Sequence, residues 1–457
     1  MRLETNRRFI ALLATTIGSS AVILDGTVVN MALPRISDDL HTGFASLQWI
    51  TDGYLLSLSA LILLGGSLGD VFGRKKTYLL GLLGFGVSSA LCALAPTVEL
   101  LIAARVLQGI FGALMVPGAL AIINTMFDAK SRGQAIGRWT AWSSIAVVLA
   151  PFAGGWILEI ASWRWIFLVN VPLVAACFAL AWVSVKETKD TRPRKIDSLG
   201  AALVTLSLAG ITYGLIEGPV QHWALPTIAA LLAGVALGGW FVAHERRARD
   251  PMVQLSLFTS RNFTGANIMT LLMYGALGGF AFALVIYLQD RLHYTALQAG
   301  MALLPISILM LLFAGKTGKL GAVYGPRLFM TAGPLVAAAG MTVLFFLKPG
   351  ASFLLHVLPG IVLFAVGLVL LVAPLTTTVM ASVGESSSGI ASGINNAVAR
   401  VAGLLVVALL GLLGSAQMYQ FAMALCAVLA VAAGIVSFAM IEKLPPARMK
   451  AAAREQE

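Results

Sequence analysis

The sequence predicts an all-α polytopic membrane protein with fourteen spans: two six-helix bundles, two inserted central helices, and both termini on the cytoplasmic side. Three observations lead there. Of 457 residues, 59% are apolar and only 11% are charged, against roughly 25% charged in a soluble domain. So little charge cannot cover a soluble protein of this length. The apolar residues fall into fourteen segments, each near the about 20 residues a helix needs to cross about 30 Å of hydrocarbon. Lysine and arginine collect in alternate gaps between those segments, as the positive-inside rule requires.

The first segment, 9–31, is too long for a cleavable leader, carries Asp25 and Asn30, and lacks a small-x-small cleavage site. It reads as a retained span. Arg2, Arg7 and Arg8 precede it on the inner side. Segment two, 49–69, opens behind Gln48 and Trp49 and ends at an inner loop with Arg74, Lys75 and Lys76. Segments three and four, 77–95 and 99–126, return the chain to Lys130, Arg132 and Arg138. Segments five and six, 139–158 and 166–185, flank Trp163 and Trp165, which fit an outer aromatic belt. A longer inner loop follows with Lys186, Lys189, Arg192, Arg194 and Lys195. Segments seven and eight, 199–217 and 225–243, lead to Arg246, Arg247, Arg249 and Arg261. Nine and ten, 263–287 and 298–315, lead to Lys316, Lys319 and Arg327. The last four, 328–347, 353–380, 388–413 and 418–441, end at a tail with Lys443, Arg448, Lys450 and Arg454. Of 31 basic residues, only Arg35, Arg164, Arg291 and Lys348 then fall outside, and Arg105 and Arg400 within spans. A miscounted early span would scramble that bias.

An internal repeat sets the domain organisation. GSLGDVFGRKK, residues 66–76, follows span two; GKTGKLGAVYGPR, residues 315–327, follows span ten. Gly73 and Gly325, and Arg8 and Arg261, are separated by nearly the same interval. Two halves of equal orientation with a helix pair between them produce this spacing, an arrangement typical of transporters with a central site. The expected division is 1–185 for the first bundle, 186–261 for the linker with its two helices, 262–441 for the second bundle, and 442–457 for the tail.

Polar groups within spans mark the candidate site. Asp25 lies past the midplane of span one, where a carboxylate is costly unless it faces a cavity or a partner. Arg105 enters span four from the outer side and reaches a similar depth. The two are a candidate proton-coupling pair, or alternatively a structural ion pair that never titrates. Asp52, at the start of span two, is explained most simply by interfacial solvation, with coupling or cation attraction as the other reading. Glu217, at the outer end of span seven, is likewise an interface residue or a polar contact. Arg400 stands near Asn395 and Asn396 in span thirteen and either faces the bundle interior or snorkels. Asn30, Asn395 and Asn396 are candidate polar contacts. In the 66–76 loop, Gly66, Gly69 and Gly73 permit close approach and a sharp turn. Asp70 is placed to meet the positive end of the next helix or a basic side chain. With Arg74 and Lys75 it forms either a conformational latch or a topological anchor. Pro151, Gly154 and Gly155 in span five allow a bend or a close-packed sliding surface.

Other classes are disfavoured. No Gly-x-x-x-x-Gly-Lys phosphate loop accompanies a soluble ATPase domain, and the glycines do not follow a buried strand as in a dinucleotide fold. His41, His222, His244, His293 and His356 lack ligand spacing. Cys92, Cys177 and Cys426 lie inside apolar segments and form no disulfide framework. The net charge of +11 fits an anionic inner leaflet better than nucleic acid.

Several motifs in order carry a resemblance. LDGTVVNMALP (24–34), LQWITDGYLL (47–56), GSLGDVFGRKK (66–76), RVLQGIFGA (105–113) and WRWIFLVNVP (163–172) together resemble the major facilitator superfamily, and within it the fourteen-helix branch of drug/proton antiporters. Two features depart from that pattern. Ala150 stands where Gly-Pro usually opens the helix-five motif, and Ala322 stands where the second loop often has an acid. The resemblance implies two six-helix bundles around a central cavity and alternating access. It also implies proton-coupled export of amphiphilic drugs, antibiotics or dyes, cationic ones included. A transporter for a lipid, amino acid or dedicated secondary metabolite is the alternative. It implies no enzyme activity, no cofactor and no metal, with the proton-motive force as the drive. The partners are protons, amphiphilic small molecules and membrane lipids. The expected state is a monomer in the bacterial cytoplasmic (inner) membrane. Asp25 and Arg105 take the family's acidic and buried-arginine positions.

Overall fold

A computed structural model describes residues 2–127, 129–189, 196–383 and 388–443. Those residues are helical apart from short turns, and none forms a strand. Thirteen of the described segments are long and apolar enough to cross a membrane. The expected fifth span falls within the helix Ala129–Ile160, many of whose side chains, that of Pro151 among them, lie outside the described ones.

Two compact units result, Met1–Met252 with Thr295–Leu297, and Val253–Tyr294 with Gln298–Glu457. The first contains α1 (Arg2–Leu40), α2 (Phe44–Phe72), α3 (Arg74–Leu94), α4 (Val98–Met126), α5 (Ala129–Ile160), α6 (Arg164–Leu168), α7 (Asn170–Ser184), α8 (Ser198–Val220) and α9 (Leu225–Glu245). Helix α4 packs on α2 and α3, and α1 packs on α4, α5 and α7. The inserted pair, α8 and α9, pack on each other, and α8 lies along α2. The core of this unit joins Tyr54, Leu58, Tyr78, Phe85, Met115 and Cys177, all buried.

The α2–α4 contact is close because Gly109 has no side chain. A Cβ there would sit 2.4 Å from the Tyr54 carbonyl oxygen, so nothing larger than hydrogen fits. The sixth span runs from Arg164 to Ser184 with one irregular residue near its start. Helix α6 ends at Leu168 and α7 starts at Asn170, with Val169 between them. Pro172 lies in the first turn of α7 and has no N–H to offer the Leu168 carbonyl, so one helical hydrogen bond is missing at this turn.

The second unit contains α10 (Arg261–Asp290), α11 (Ala296–Tyr324), α12 (Pro326–Phe345), α13 (Leu358–Ala381), α14 (Ser388–Leu409) and α15 (Gly414–Met440). Helix α12 packs on α13 and α15, and α10 on α14 and α15. Stacked Phe280–Phe364 and Tyr287–Tyr419 rings fill its interior. Gly325, φ +87°, begins α12 as Gly73, φ +115°, begins α3. The repeated loops therefore share a glycine-dependent turn.

Candidate functional site

Asp25 and Arg105 meet in the first unit, with 3% and 1% of their surfaces exposed. Arg105 Nη1 donates to Asp25 Oδ2 and, at 2.6 Å, to Gln108 Oε1. Arg105 Nε donates to the Ile50 carbonyl at 3.1 Å. Its guanidinium also lies 4.1 Å from the Tyr54 ring centroid and 5.7 Å from that of Phe167. The cation is thus paired, hydrogen-bonded and faced by aromatic rings, which is what burial of an arginine demands.

The other carboxylate oxygen is equally engaged. Gln108 Nε2 donates to Asp25 Oδ1 at 2.9 Å and Asn170 Nδ2 does so at 3.0 Å. Both amides also donate to Ser89 Oγ, at 3.0 and 3.1 Å. Gln108, Ser89 and Asn170 are all buried, and Cys92 Sγ is 3.7 Å from Gln108 Oε1. Sequence reasoning missed these three. Gln108 falls one helical turn after Arg105 inside RVLQGIFGA, and Asn170 is the polar residue of WRWIFLVNVP, so each carried a signal: a polar group in an otherwise apolar run.

Asp52 departs from the interfacial expectation. It is fully buried in α2, and neither carboxylate oxygen has a hydrogen-bond donor among the described residues. One residue earlier, Thr51 Oγ1 donates to Asn30 Oδ1 at 3.4 Å, tying α2 to α1. Glu217 is half-buried and does more than face an interface. It accepts from Trp49 Nε1 at 2.8 Å and from Gln221 Nε2 at 3.2 Å, and so fastens α8 to α2.

At the loop, Asp70 accepts from Arg74 Nε and Nη2 at 2.9 and 2.7 Å. The positive end of α3 is met by a different acid. Glu187, beyond α7, accepts from the backbone N–H groups of Lys75 and Lys76 at 3.0 and 3.1 Å. The Arg74 N–H reaches the Thr188 carbonyl at 2.9 Å. Lys75 Nζ donates to the Trp182 carbonyl at 2.6 Å. Gly66 faces Pro117 of α4.

In α5, Gly154 abuts Val28 of α1, where a Cβ would come within 2.6 Å, and Gly155 is buried. In the second unit, Asn395 donates to Asn267 Oδ1 and Thr270 Oγ1 at 3.2 and 2.8 Å. Asn396 is exposed and takes no part in that contact, so the expected cluster is narrower than a shared Asn395–Asn396 site. Arg400, half-buried, lies farther along α14. Among the described residues no group of three His, Cys, Asp or Glu is placed to hold a metal.

The family model described as Major Facilitator Superfamily matches residues 15–407 and 268–457. A tetracenomycin C resistance and export protein of Streptomyces glaucescens is 32% identical over 88% of this chain and 75% of its own. A puromycin resistance protein of Streptomyces alboniger is 34% identical, covering 88% and 81%. A methylenomycin A resistance protein of Bacillus subtilis is 32% identical, covering 88% and 86%. Among solved structures, a POT family transporter in complex with 5-aminolevulinic acid shares the fold at a TM-score of 0.72, 14% identity and 95% coverage of each chain. The inward-open xylose transporter XylE from E. coli does so at 0.66, 15%, and 97% and 99% coverage. The helices, their glycine-turned repeat and these matches together make the chain a multi-pass membrane transporter, not an enzyme, and a member of the Major Facilitator Superfamily.

Proposed function

We propose that this transporter exports amphiphilic antibiotics or drugs in exchange for protons by alternating access, with Asp25 as the proton-binding carboxylate. The buried Asp25–Arg105 pair carries this proposal. A charge pair held away from water is costly to keep and costly to break, so its energy changes sharply with the proton occupancy of the acid. Resistance and export are in the names of the relatives, and efflux is the function those names support.

In the proposed cycle a proton enters from outside and neutralises Asp25. Arg105 then loses its ionic partner but keeps the Gln108 and Ile50 oxygens, so no guanidinium is stranded. The weakened α1–α4 contact lets the bundles rearrange and the substrate leave outward. Deprotonation towards the cytoplasm restores the pair. Asp52, buried and with no hydrogen-bond donor among the described residues, is a second candidate coupling carboxylate. Arg400 and the Asn395 contact are the corresponding polar elements of the second bundle. The loop around Asp70 and Arg74 acts as the conformational latch, and Gly154 and Gly155, with Pro151, as the packing surface of helix five. No cofactor takes part; the proton-motive force supplies the drive.

Proteoliposomes with an imposed pH gradient test the proposal, with a cationic dye and an antibiotic as probes. Wild type accumulates the probe uphill, and Asp25→Asn abolishes accumulation while inserting normally. Uphill accumulation by the variant at the wild-type rate would remove Asp25 from the mechanism. One relative is named for tetracenomycin C resistance and export and another as a probable actinorhodin transporter. A dedicated secondary-metabolite exporter is therefore the second reading. Failure of all dyes with retained export of one metabolite class would select it.

A further inference from the structure

The irregular turn at Val169 in the sixth span lies beside the Asp25–Arg105 pair. Asn170 is the first residue of α7, and its amide donates both to Asp25 Oδ1 and to Ser89 Oγ. Phe167, one turn earlier in α6, lies over the Arg105 guanidinium. Residues on either side of Val169 therefore touch both members of the pair.

We propose that Asn170 is a positioning residue for proton coupling, holding Asp25 as a charged acceptor and so setting the pH range over which Asp25 takes up its proton. The role rests on the proton-coupled exchange proposed above. Asn170 has no proton to exchange and acts through Asp25. Its Nδ2 is purely a donor, so it binds the ionised carboxylate well and the neutral acid poorly. Gln108 Nε2 has the same preference, and Ser89 Oγ accepts from both amides and fixes their direction. Hydrogen bonds to the charged form favour it.

Asn170 is one of two neutral amides on Asp25 Oδ1 and the one that α7 brings. Arg105 and Gln108 come from α4, Ser89 and Cys92 from α3, and Tyr54 of α2 donates to the Val22 carbonyl. The described charges of α5, Arg138 and Glu159, lie towards its two ends. Arg105 is needed for the pair itself, whereas Asn170 is neutral and its removal leaves the pair in place. On protonation of Asp25 the Asn170 and Gln108 bonds to Oδ1 both weaken.

The test reads Asp25 directly. In purified protein, the carboxylic-acid C=O infrared band that disappears in Asp25→Asn is titrated against pH. Asn170→Ala is expected to move its midpoint upward by about one pH unit, the size of one lost hydrogen bond to a charged group. Asn170→Ser, which restores a donor, recovers part of the shift. Ser89→Ala, which leaves α7 untouched, moves the midpoint in the same direction and keeps the test open if Asn170→Ala folds poorly. The pH profile of uphill transport in proteoliposomes follows the band, with maximal rate preserved within about threefold. Unchanged midpoints in both Asn170→Ala and Ser89→Ala, with wild type titrating normally, overturn the inference and leave the exchange mechanism standing. A wild-type protein with coupled transport but no Asp25 band overturns the role of Asp25, and the inference with it.

Discussion

The Arg105 guanidinium donates to the backbone carbonyl of Ile50 at 3.1 Å while its other arm holds Asp25. One side chain of α4 thus binds α1 through an acid and α2 through its main chain, two residues before Asp52. Because the α2 acceptor is a carbonyl, no α2 substitution removes it, and the N-terminal part of α2 is tied to the state of the pair.

Arg105→Ala should therefore be more damaging than a neutral replacement of the whole pair. Truncation strands a buried carboxylate and costs about 3–5 kcal/mol, whereas removing both charges together is far milder. Thermal unfolding in detergent should show a large loss for Arg105→Ala and a recovery in the Asp25→Asn/Arg105→Gln double variant. Equal losses in both would mean the damage comes from packing against Tyr54, not from an unpaired charge.

Asp52 leads to the opposite expectation for stability. Its carboxylate is buried with no donor among the described residues, and a buried polar group without a partner costs free energy in the folded state. Asp52→Asn keeps the shape and removes the charge, so the unfolding temperature should stay level or rise while the pH profile of transport changes. A clear fall in unfolding temperature would show that the carboxylate has a stabilising partner in the working protein.

The spans and their order were legible because hydrocarbon imposes a length and a composition on every crossing, and because lysine and arginine mark one side. Asp25 and Arg105 were legible for the related reason that a charge in an apolar run is exceptional. Gln108, Ser89 and Asn170 were harder to see. Neutral polar residues are tolerated in membrane helices for many local reasons, such as the back-bonding of Ser88 to the Gly84 carbonyl, and only geometry separates the two cases. The burial of Asp52 was not legible because a sequence does not state what covers a helix end. The Glu187 contact was invisible for another reason: it joins α3 to a segment 112 residues away.

That contact makes a testable pair with Gly73. Gly73 has φ +115°, and a Cβ there would lie 2.6 Å from Glu187 Oε1. Gly73→Ala should cost about 1–3 kcal/mol, from backbone strain together with displacement of the capping carboxylate. Glu187→Ala should cost about 1 kcal/mol, by leaving two N–H groups at the start of α3 without their acceptor. Since the two changes damage one contact, the double variant should lose less than their sum. Unfolding of the four proteins in detergent gives the coupling, and strict additivity would show that Gly73 is needed for its φ alone.

The start of α8 carries a pH dependence of definite sign. Asp197 caps it, accepting from the Gly200 N–H at 2.8 Å, and His244 Nε2 of α9 lies 2.9 Å from the same oxygen. Burial acts to raise the Asp197 pKa, but the Gly200 amide and the His244 ring lower it by more, so the carboxyl sits below its ordinary value. A carboxyl lowered on folding contributes stability that is complete above its unfolded value, about 4, and is lost as pH falls through the folded value. Amides in the first turn of α8 should therefore exchange with solvent hydrogen faster as pH falls below about 4, after correction for intrinsic rates. In Asp197→Asn the cap survives, because asparagine also accepts from a backbone N–H, but the acid-dependent step disappears. An acid step of unchanged size in that variant would place the titrating group elsewhere, with neighbouring Glu245 the first alternative.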